Sequence, residues 1–405
     1  MSGWVTAQAP TRAELAACVE CGLCLPHCPT FRLTGLETAS PRGRLAAMSA
    51  VAAGVAEVDS VFEEIMGFCL QCRACEAVCP GLVPFGRAME GARIELAAQR
   101  PSTVRRLRHF LWGRFVPSRR AIALATVAAR AFRSVPLPLP RGIKRGLAGL
   151  RNSLQASLRR GQVIRPEGKP LATVGLLLGC VMDAWFGRVH VATVDLLRRA
   201  GYLVVLPTSQ TCCGALAAHD GGLVAGRRLA ERNQKAFAGL DLIVANAAGC
   251  SAHLKDYGHW LDDPGDFAGK VRDINEIVAS AIEEGRLPRF EPIRGRVAVQ
   301  DPCHLRHAQR VMAAPRQILA AAGYAVVEID PDGLCCGAAG SYALTHPDAS
   351  AELGRRKAEQ VRASGALLVA SANPGCEMQL RSYLDQGFEI AHPIELYHRA
   401  VIQPE

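Results

Sequence analysis

The stretch CVECGLCLPHCP, residues 18–29, places four cysteines and a proline in twelve positions, and CLQCRACEAVCP, residues 69–80, repeats that spacing. Each run reads C-x2-C-x2-C-x3-C-P. A [4Fe–4S] core needs four thiolates around a compact inorganic cube. Three cysteines at x2 spacing wrap one face of such a core in a tight loop, and the fourth normally ligates the other cluster. The expected ligand sets are therefore Cys18, Cys21, Cys24 and Cys79 for one cluster, and Cys69, Cys72, Cys75 and Cys28 for the second. Pro29 and Pro80 turn the chain away after each crossing ligand. Zinc sites use pairs of ligands across a longer loop, so two matched runs of this kind point to clusters. The segments PRGRLAAMSAVAAGV and VDSVFEEIMGF between the runs read as helices, which predicts a mostly helical domain.

The chain has 405 residues, 49% of them hydrophobic, enough for two or three domains with real cores. No apolar run reaches the roughly 18 residues of a membrane span, and the first residues show no basic patch leading into an apolar stretch. These features predict a cytoplasmic protein. In that reducing compartment sixteen cysteines are expected to be metal ligands, not disulfides.

The net charge of +10 is unevenly spread, because residues 100–160 hold fifteen Lys or Arg and no Asp or Glu. Within that segment RRLRHFLWGRFV interleaves arginine with Phe, Leu and Trp112. A basic amphipathic segment of this kind suits an anionic membrane surface, here the inner face of the cell membrane, or an acidic partner. A solvated linker is the plain alternative. No nucleic-acid-binding fold accompanies the charge, so nucleic acid is not an expected partner.

The expected organisation is a helical ferredoxin-type domain over residues 1–100, a basic helical connector over 101–168, and two cysteine-rich lobes over 169–292 and 293–405. Pro136 to Pro140, reading PLPLP, predicts an extended break in the connector. The lobes form an internal repeat. Cys180 precedes Cys212 by 32 residues, and Cys303 precedes Cys335 by the same interval, a period of 123 residues. The second positions read Cys212-Cys213-Gly214 and Cys335-Cys336-Gly337, and Cys250 and Cys376 close the two halves. Each cysteine follows a short apolar run, and helical patterns lie between the runs. The fold class is therefore α + α/β, with two pseudo-repeated Rossmann-like lobes behind the helical domain. In a parallel sheet ligands gather at the carboxyl ends of strands, so four thiols should converge in each lobe, with Gly214 and Gly337 letting backbone pass close to a bound core.

The duplicated Cys…Cys-Cys-Gly…Cys pattern resembles the cysteine-rich domain of heterodisulfide reductase. Behind a twin-cluster domain, the order of parts is similar to the iron–sulfur subunit of glycolate oxidase, with likeness also to lactate-utilisation proteins and to anaerobic glycerol-3-phosphate dehydrogenase. PRGR (41–44), TCCGAL (211–216), NAAGCSAHLKDYGH (246–259), DPCHLRHAQ (301–309) and LCCGAAGSYAL (334–344) carry that resemblance. It implies an electron-transfer subunit with two [4Fe–4S] clusters, fed by an FAD-binding dehydrogenase subunit and passing electrons to a quinone or another acceptor. The last ligand pair of the reductase pattern, Cys-x-x-Cys, is replaced by Cys250-Ser-Ala-His253 and Cys376-Glu-Met-Gln379. That departure counts against a heterodisulfide-reductase-like thiol enzyme, the alternative function. It leaves the lobe cysteines with a further iron–sulfur or zinc centre, to which His253 could contribute, or with a structural role. No dinucleotide turn, P-loop or nucleophile elbow occurs, so no catalytic residue is assigned and the substrate site is expected on a partner chain. His304 or His307, beside Cys303, could move protons to a quinone, and ordinary hydrogen bonding at a strand end is the simpler role.

Overall fold

The structure is a computed structural model that describes residues 3–131, 155, 158–291 and 294–403. The PLPLP break and the basic stretch after it fall outside the described residues.

No strand occurs among the described residues before 132. The helices Pro41–Ala52, Ser60–Gly67 and Phe85–Gln99 pack around Met48, Met66, Ala88 and Met89, all fully buried, as the sequence predicts for a helical cluster domain. Ser40 caps the first of these by accepting a hydrogen bond from the Gly43 amide, and Pro41 sits at the first helical turn, where its missing N–H costs nothing.

Arg44, on that helix, is fully buried. Its guanidinium donates to the Ala39 carbonyl at 2.7 Å, the Ile65 carbonyl at 3.0 Å and Thr30 Oγ1 at 3.2 Å. Thr30 in turn donates to the Ala39 carbonyl at 2.7 Å and lies 3.3 Å from Cys28 Sγ. The second arginine of PRGR thus fixes the turn that presents Cys28.

Among the described residues, nine strands form two sheets. Lobe one holds β1 (Val163–Ile164), β2 (Thr173–Leu177), β3 (Leu203–Val205), β4 (Leu242–Ala245) and β5 (Val271–Asp273) in the order β1-β3-β2-β4-β5. All pairs are parallel except the edge pair β1–β3. Lobe two holds β6 (Arg296–Gln300), β7 (Ala325–Glu328), β8 (Leu368–Ser371) and β9 (Glu389–Ala391) in the all-parallel order β7-β6-β8-β9. Apart from β1 the two orders are the same, so the sequence repeat is a repeat of topology. The predicted apolar runs before the cysteines are β2, β3, β4, β6, β7 and β8. The strand β1 departs from the expected connector: its two residues already belong to the first sheet, and they are too few to show a period.

The lobes share one core rather than touching at a surface. The helix Gly187–Arg199 packs on Pro393–Ile402, and Ile274–Glu283 packs on Ala313–Ala321. Each contact joins the helix after the first repeat strand of one lobe to the helix after the last strand of the other, as a pseudo-twofold requires. Leu196, Leu197, Ile318, Ile394 and Tyr397, all fully buried, lie in this common core.

Replacing Arg44 by Met should leave the Ile65 carbonyl buried without its donor, take the Arg44 donor off the Ala39 carbonyl that Thr30 still serves, and lower stability by about 1–3 kcal/mol. Thermal unfolding of the purified protein reads this, with Arg355→Ala, an exposed position in lobe two, shifting stability by less than about 0.5 kcal/mol.

Candidate functional site

The first three cysteines of each run lie in loops bent the same way. Glu20 and Gly22 have φ of 54° and 81° in the first run, and Gln71 and Arg73 have φ of 52° and 61° in the second. Both pairs stand two and four residues after the leading cysteine. Left-handed backbone at a residue other than glycine costs on the order of 1 kcal/mol or more, and here it recurs at matched positions. The strain turns successive thiols toward one side.

Cys18, Cys21, Cys24 and Cys79, the four thiols the spacing assigns to one cluster, line one cavity although 55 residues separate Cys24 from Cys79, and Cys75 of the other expected set reaches the same cavity wall. A Cβ on Gly81 would sit 2.4 Å from the Ala17 carbonyl oxygen and 3.9 Å from Cys79 Sγ, so only glycine lets the two runs close. Cys21 is exposed, while Cys28, Cys69, Cys72 and Cys75 of the other set are buried. Burial, then neighbouring thiols that include Cys28 and Cys69, pushes Cys72 and Cys75 well above the ordinary thiol range. Buried thiols crowded in this way ionise only with a cationic core to compensate them. Both sets fit a polynuclear iron centre.

In lobe one each predicted cysteine lies where a strand gives way to a helix. Cys180 caps the helix Val181–Trp185, Cys213-Gly214 leads into Ala215–His219, and Cys250 lies in the first turn of Ala248–Lys255. The contact with Cys212, and burial after it, push Cys180 and Cys213 well above the ordinary thiol range. The sulfurs stand in two pairs, Cys180–Cys212 and Cys213–Cys250, each 3.3 Å apart. Gly214 has φ of 95°, and a Cβ there would meet nothing closer than 3.5 Å. Among protein neighbours it is the turn's handedness, not crowding, that requires glycine in this lobe. Asn233 Nδ2 donates to the Cys212 carbonyl at 2.9 Å and Tyr257 Oη to the Cys213 carbonyl at 2.6 Å, fixing both.

In lobe two Cys303 and Cys335 are 4.0 Å apart, and Asn373 Nδ2 lies 3.5 Å from Cys376 Sγ. Contacts from Cys335 and Cys376, then the charge of Lys357, hold the Cys336 thiol well below its ordinary range. Lys357 is itself buried and paired with Asp330. At Gly337 (φ 85°) a Cβ would meet the Ser350 carbonyl at 2.8 Å and Leu353 Cβ at 2.9 Å, so there both space and handedness require glycine. Gln379 donates to the Ser350 carbonyl at 3.0 Å. All sixteen cysteines are free thiols. Among the described residues no three His, Cys, Asp or Glu side chains close on a point that would hold a single metal ion.

The two halves of the site adjoin. Cys72, Cys303 and Cys335 belong to one packed cluster with Tyr342 and Leu353. Arg93 Nη2 donates to the Cys69 carbonyl at 2.6 Å and Nη1 to the His219 carbonyl at 2.7 Å, tying the second cysteine run to lobe one. Sequence reasoning missed the polar seam beside it. His219 accepts or donates to Glu90 at 2.8 Å, and its ring lies 5.5 Å from His304 and 5.9 Å from His253. Burial lowers His253 to about 4, so its ring is neutral near pH 7. His307 hydrogen-bonds the Gly333 carbonyl at 2.8 Å, the simpler role. Single histidines 34 to 51 residues apart carry no spacing signal.

Family models match residues 14–83 as a 4Fe-4S dicluster domain and residues 174–255 and 297–381 as a cysteine-rich domain. The chain is 33% identical over 402 residues to the probable glycolate oxidase iron-sulfur subunit of Bacillus subtilis, covering 91% of this chain and 88% of that protein. It is 32% identical over 401 residues to the glycolate oxidase iron-sulfur subunit of Escherichia coli, covering 96% and 94%. A third relative, a subunit of the fumarate reductase (CoM/CoB) of Methanothermobacter marburgensis, is 28% identical over 388 residues, 92% of this chain and 69% of that protein.

Because Cys79 lies in the second run but lines the first run's cavity, Cys79→Ser should remove the exposed centre and leave the buried one. Iron should fall by about four per chain, with one of two paramagnetic signals surviving dithionite reduction.

Proposed function

We infer that this chain, which belongs to the family of glycolate oxidase iron–sulfur subunits, relays electrons within a complex whose other subunit oxidises a small 2-hydroxy acid. The observation that carries the reading is the continuity of thiol sites from the exposed Cys21 inward to Cys72, packed with Cys303 and Cys335. Two [4Fe–4S] clusters supply single-electron steps, which suits a partner flavin that releases electrons in pairs.

Each part of the chain has a role in that relay. We assign Cys18, Cys21, Cys24 and Cys79 to one cluster and Cys69, Cys72, Cys75 and Cys28 to the other. The strained loops after Cys18 and Cys69 hold the thiols pre-arranged, and Arg44 and Arg93 fix the backbone behind Cys28 and Cys69. The paired thiols Cys180, Cys212, Cys213 and Cys250 in lobe one, and Cys303, Cys335, Cys336 and Cys376 in lobe two, are the candidate ligands of further centres. Boundaries near residues 100 and 292 follow from the same reading, with the first lobe starting at or before Val163. The partner is an FAD-binding dehydrogenase subunit, and the acceptor is a quinone at the inner face of the cell membrane. Single-ion zinc sites are a poorer fit to the lobes than polynuclear ones, because the thiols stand in pairs and no three ligands among the described residues meet at one point.

Anaerobic purification with the co-expressed flavoprotein tests the reading. Glycolate should bleach the flavin and the broad iron–sulfur absorbance together, and iron should be about eight per chain, or about twelve or more if the lobes are loaded. A colourless preparation, or one whose absorbance no hydroxy acid changes, overturns it.

A further inference from the structure

The described part of the basic segment, up to residue 131, packs on lobe one. Its first helix, Thr103–Phe110, continues without a break into a single π turn, Leu111–Phe115, and a second helix spans Arg119–Ala131. Their inner faces are tied down. Arg108 and His109 hold Asp220, Arg228 donates to the Gly113 carbonyl at 2.7 Å, and Trp185 Nε1 donates to Thr126 Oγ1 at 3.0 Å. Ile122 is buried in the lobe-one core. Trp112, which the sequence groups with the exposed aromatics, is half-buried on this inner side.

The outer faces are apolar and open. Val104 is 72% exposed, Leu107 58%, Phe110 58%, Leu124 73% and Val127 56%. Spacings of three residues place Val104, Leu107 and Phe110 along one side of the first helix, and Leu124 and Val127 along one side of the second. Phe110 and Phe115 are the exposed phenylalanines among the described residues. Arg106, Arg114 and Arg120, all exposed, belong to the same two helices and the turn between them. No helix among the described residues is long and apolar enough to cross a membrane.

We propose that this double-helix face is a lipid-docking surface that lies on an anionic bilayer, with Leu107, Phe110 and Leu124 entering the acyl boundary and the arginines on the headgroups. The charge offered to such a surface among the described residues is that of the exposed Arg106, Arg114 and Arg120, because Arg100 and Arg105 pair with Glu63, Arg108 with Asp220, and Arg119 and Arg160 with Asp183. Exposed leucine and phenylalanine side chains set among arginines are what an interfacial helix presents to headgroups and to the acyl boundary beneath them. The surface deepens the membrane-quinone reading and rests on it for its purpose, but lipid binding is measured separately from electron transfer.

The test is flotation of the cluster-loaded full chain with phosphatidylcholine vesicles and with vesicles containing phosphatidylglycerol. The wild type should float with the anionic vesicles only and dissociate as salt rises. The Leu107→Glu/Phe110→Glu variant should bind at least about tenfold more weakly, with its visible spectrum and melting temperature unchanged. Arg106→Glu/Arg114→Glu should bind weakly too. Wild type that stays in solution with both vesicles, or a Leu107/Phe110 variant that floats like wild type, overturns the proposal. So does a variant that keeps lipid binding and loses its flavoprotein, which would make the face a protein interface. Glycolate-driven bleaching is read on the same samples, so failure of the lipid surface and failure of the relay are told apart.

Discussion

Thiols that share one inorganic core must be delivered to it by segments of chain with no other reason to meet, and this constraint shapes the whole molecule. Backbone bends alike at Glu20 and Gln71, and again at Gly22 and Arg73, so both cysteine runs curl around a point. Cys79 of the second run lines the first run's cavity, and Gly81 is small enough to let the runs close. Apolar packing around Met48, Met66 and Met89 holds this arrangement, but the thiols dictate where it goes. Arg44 shows the cost of that order: a fully buried cation is retained because it satisfies the Ile65 carbonyl and joins Thr30 on the Ala39 carbonyl behind the Cys28 turn.

The second half of the chain solves the same problem by duplication. Two sheets of one topology meet across a pseudo-twofold and share a core, so neither lobe buries its apolar helix faces without the other. Their thiol sites are nevertheless supported differently. Asn233 and Tyr257 hold the Cys212 and Cys213 carbonyls in lobe one. In lobe two Ser350 Oγ holds the Gly337 carbonyl at 2.9 Å, and a buried Lys357–Asp330 pair lies behind Cys336. Duplicated backbone with unlike surroundings lets the two sites have unlike properties.

Much of this was legible in the sequence because cysteine spacing and strand patterning are local signals. The cluster runs, the six strands before the lobe cysteines and the helices between them all follow from short windows. What escaped notice depends on distance. Two residues at β1 are too few to declare a strand. The seam of His219, His253, His304 and Glu90 joins three parts of the chain, and Arg93 reaches from the helical domain to the His219 carbonyl. Gly214 was legible as special, but space and handedness cannot be separated without coordinates. Trp112 reads as one of a row of exposed aromatics until packing turns it toward lobe one.

The contrast between the open Cys21 and the enclosed Cys72 and Cys75 has an energetic consequence. Water stabilises added negative charge far better than a protein interior does. Two ligand sets of the same chemistry would therefore differ in electron affinity, the open set holding an added electron more readily than the enclosed one.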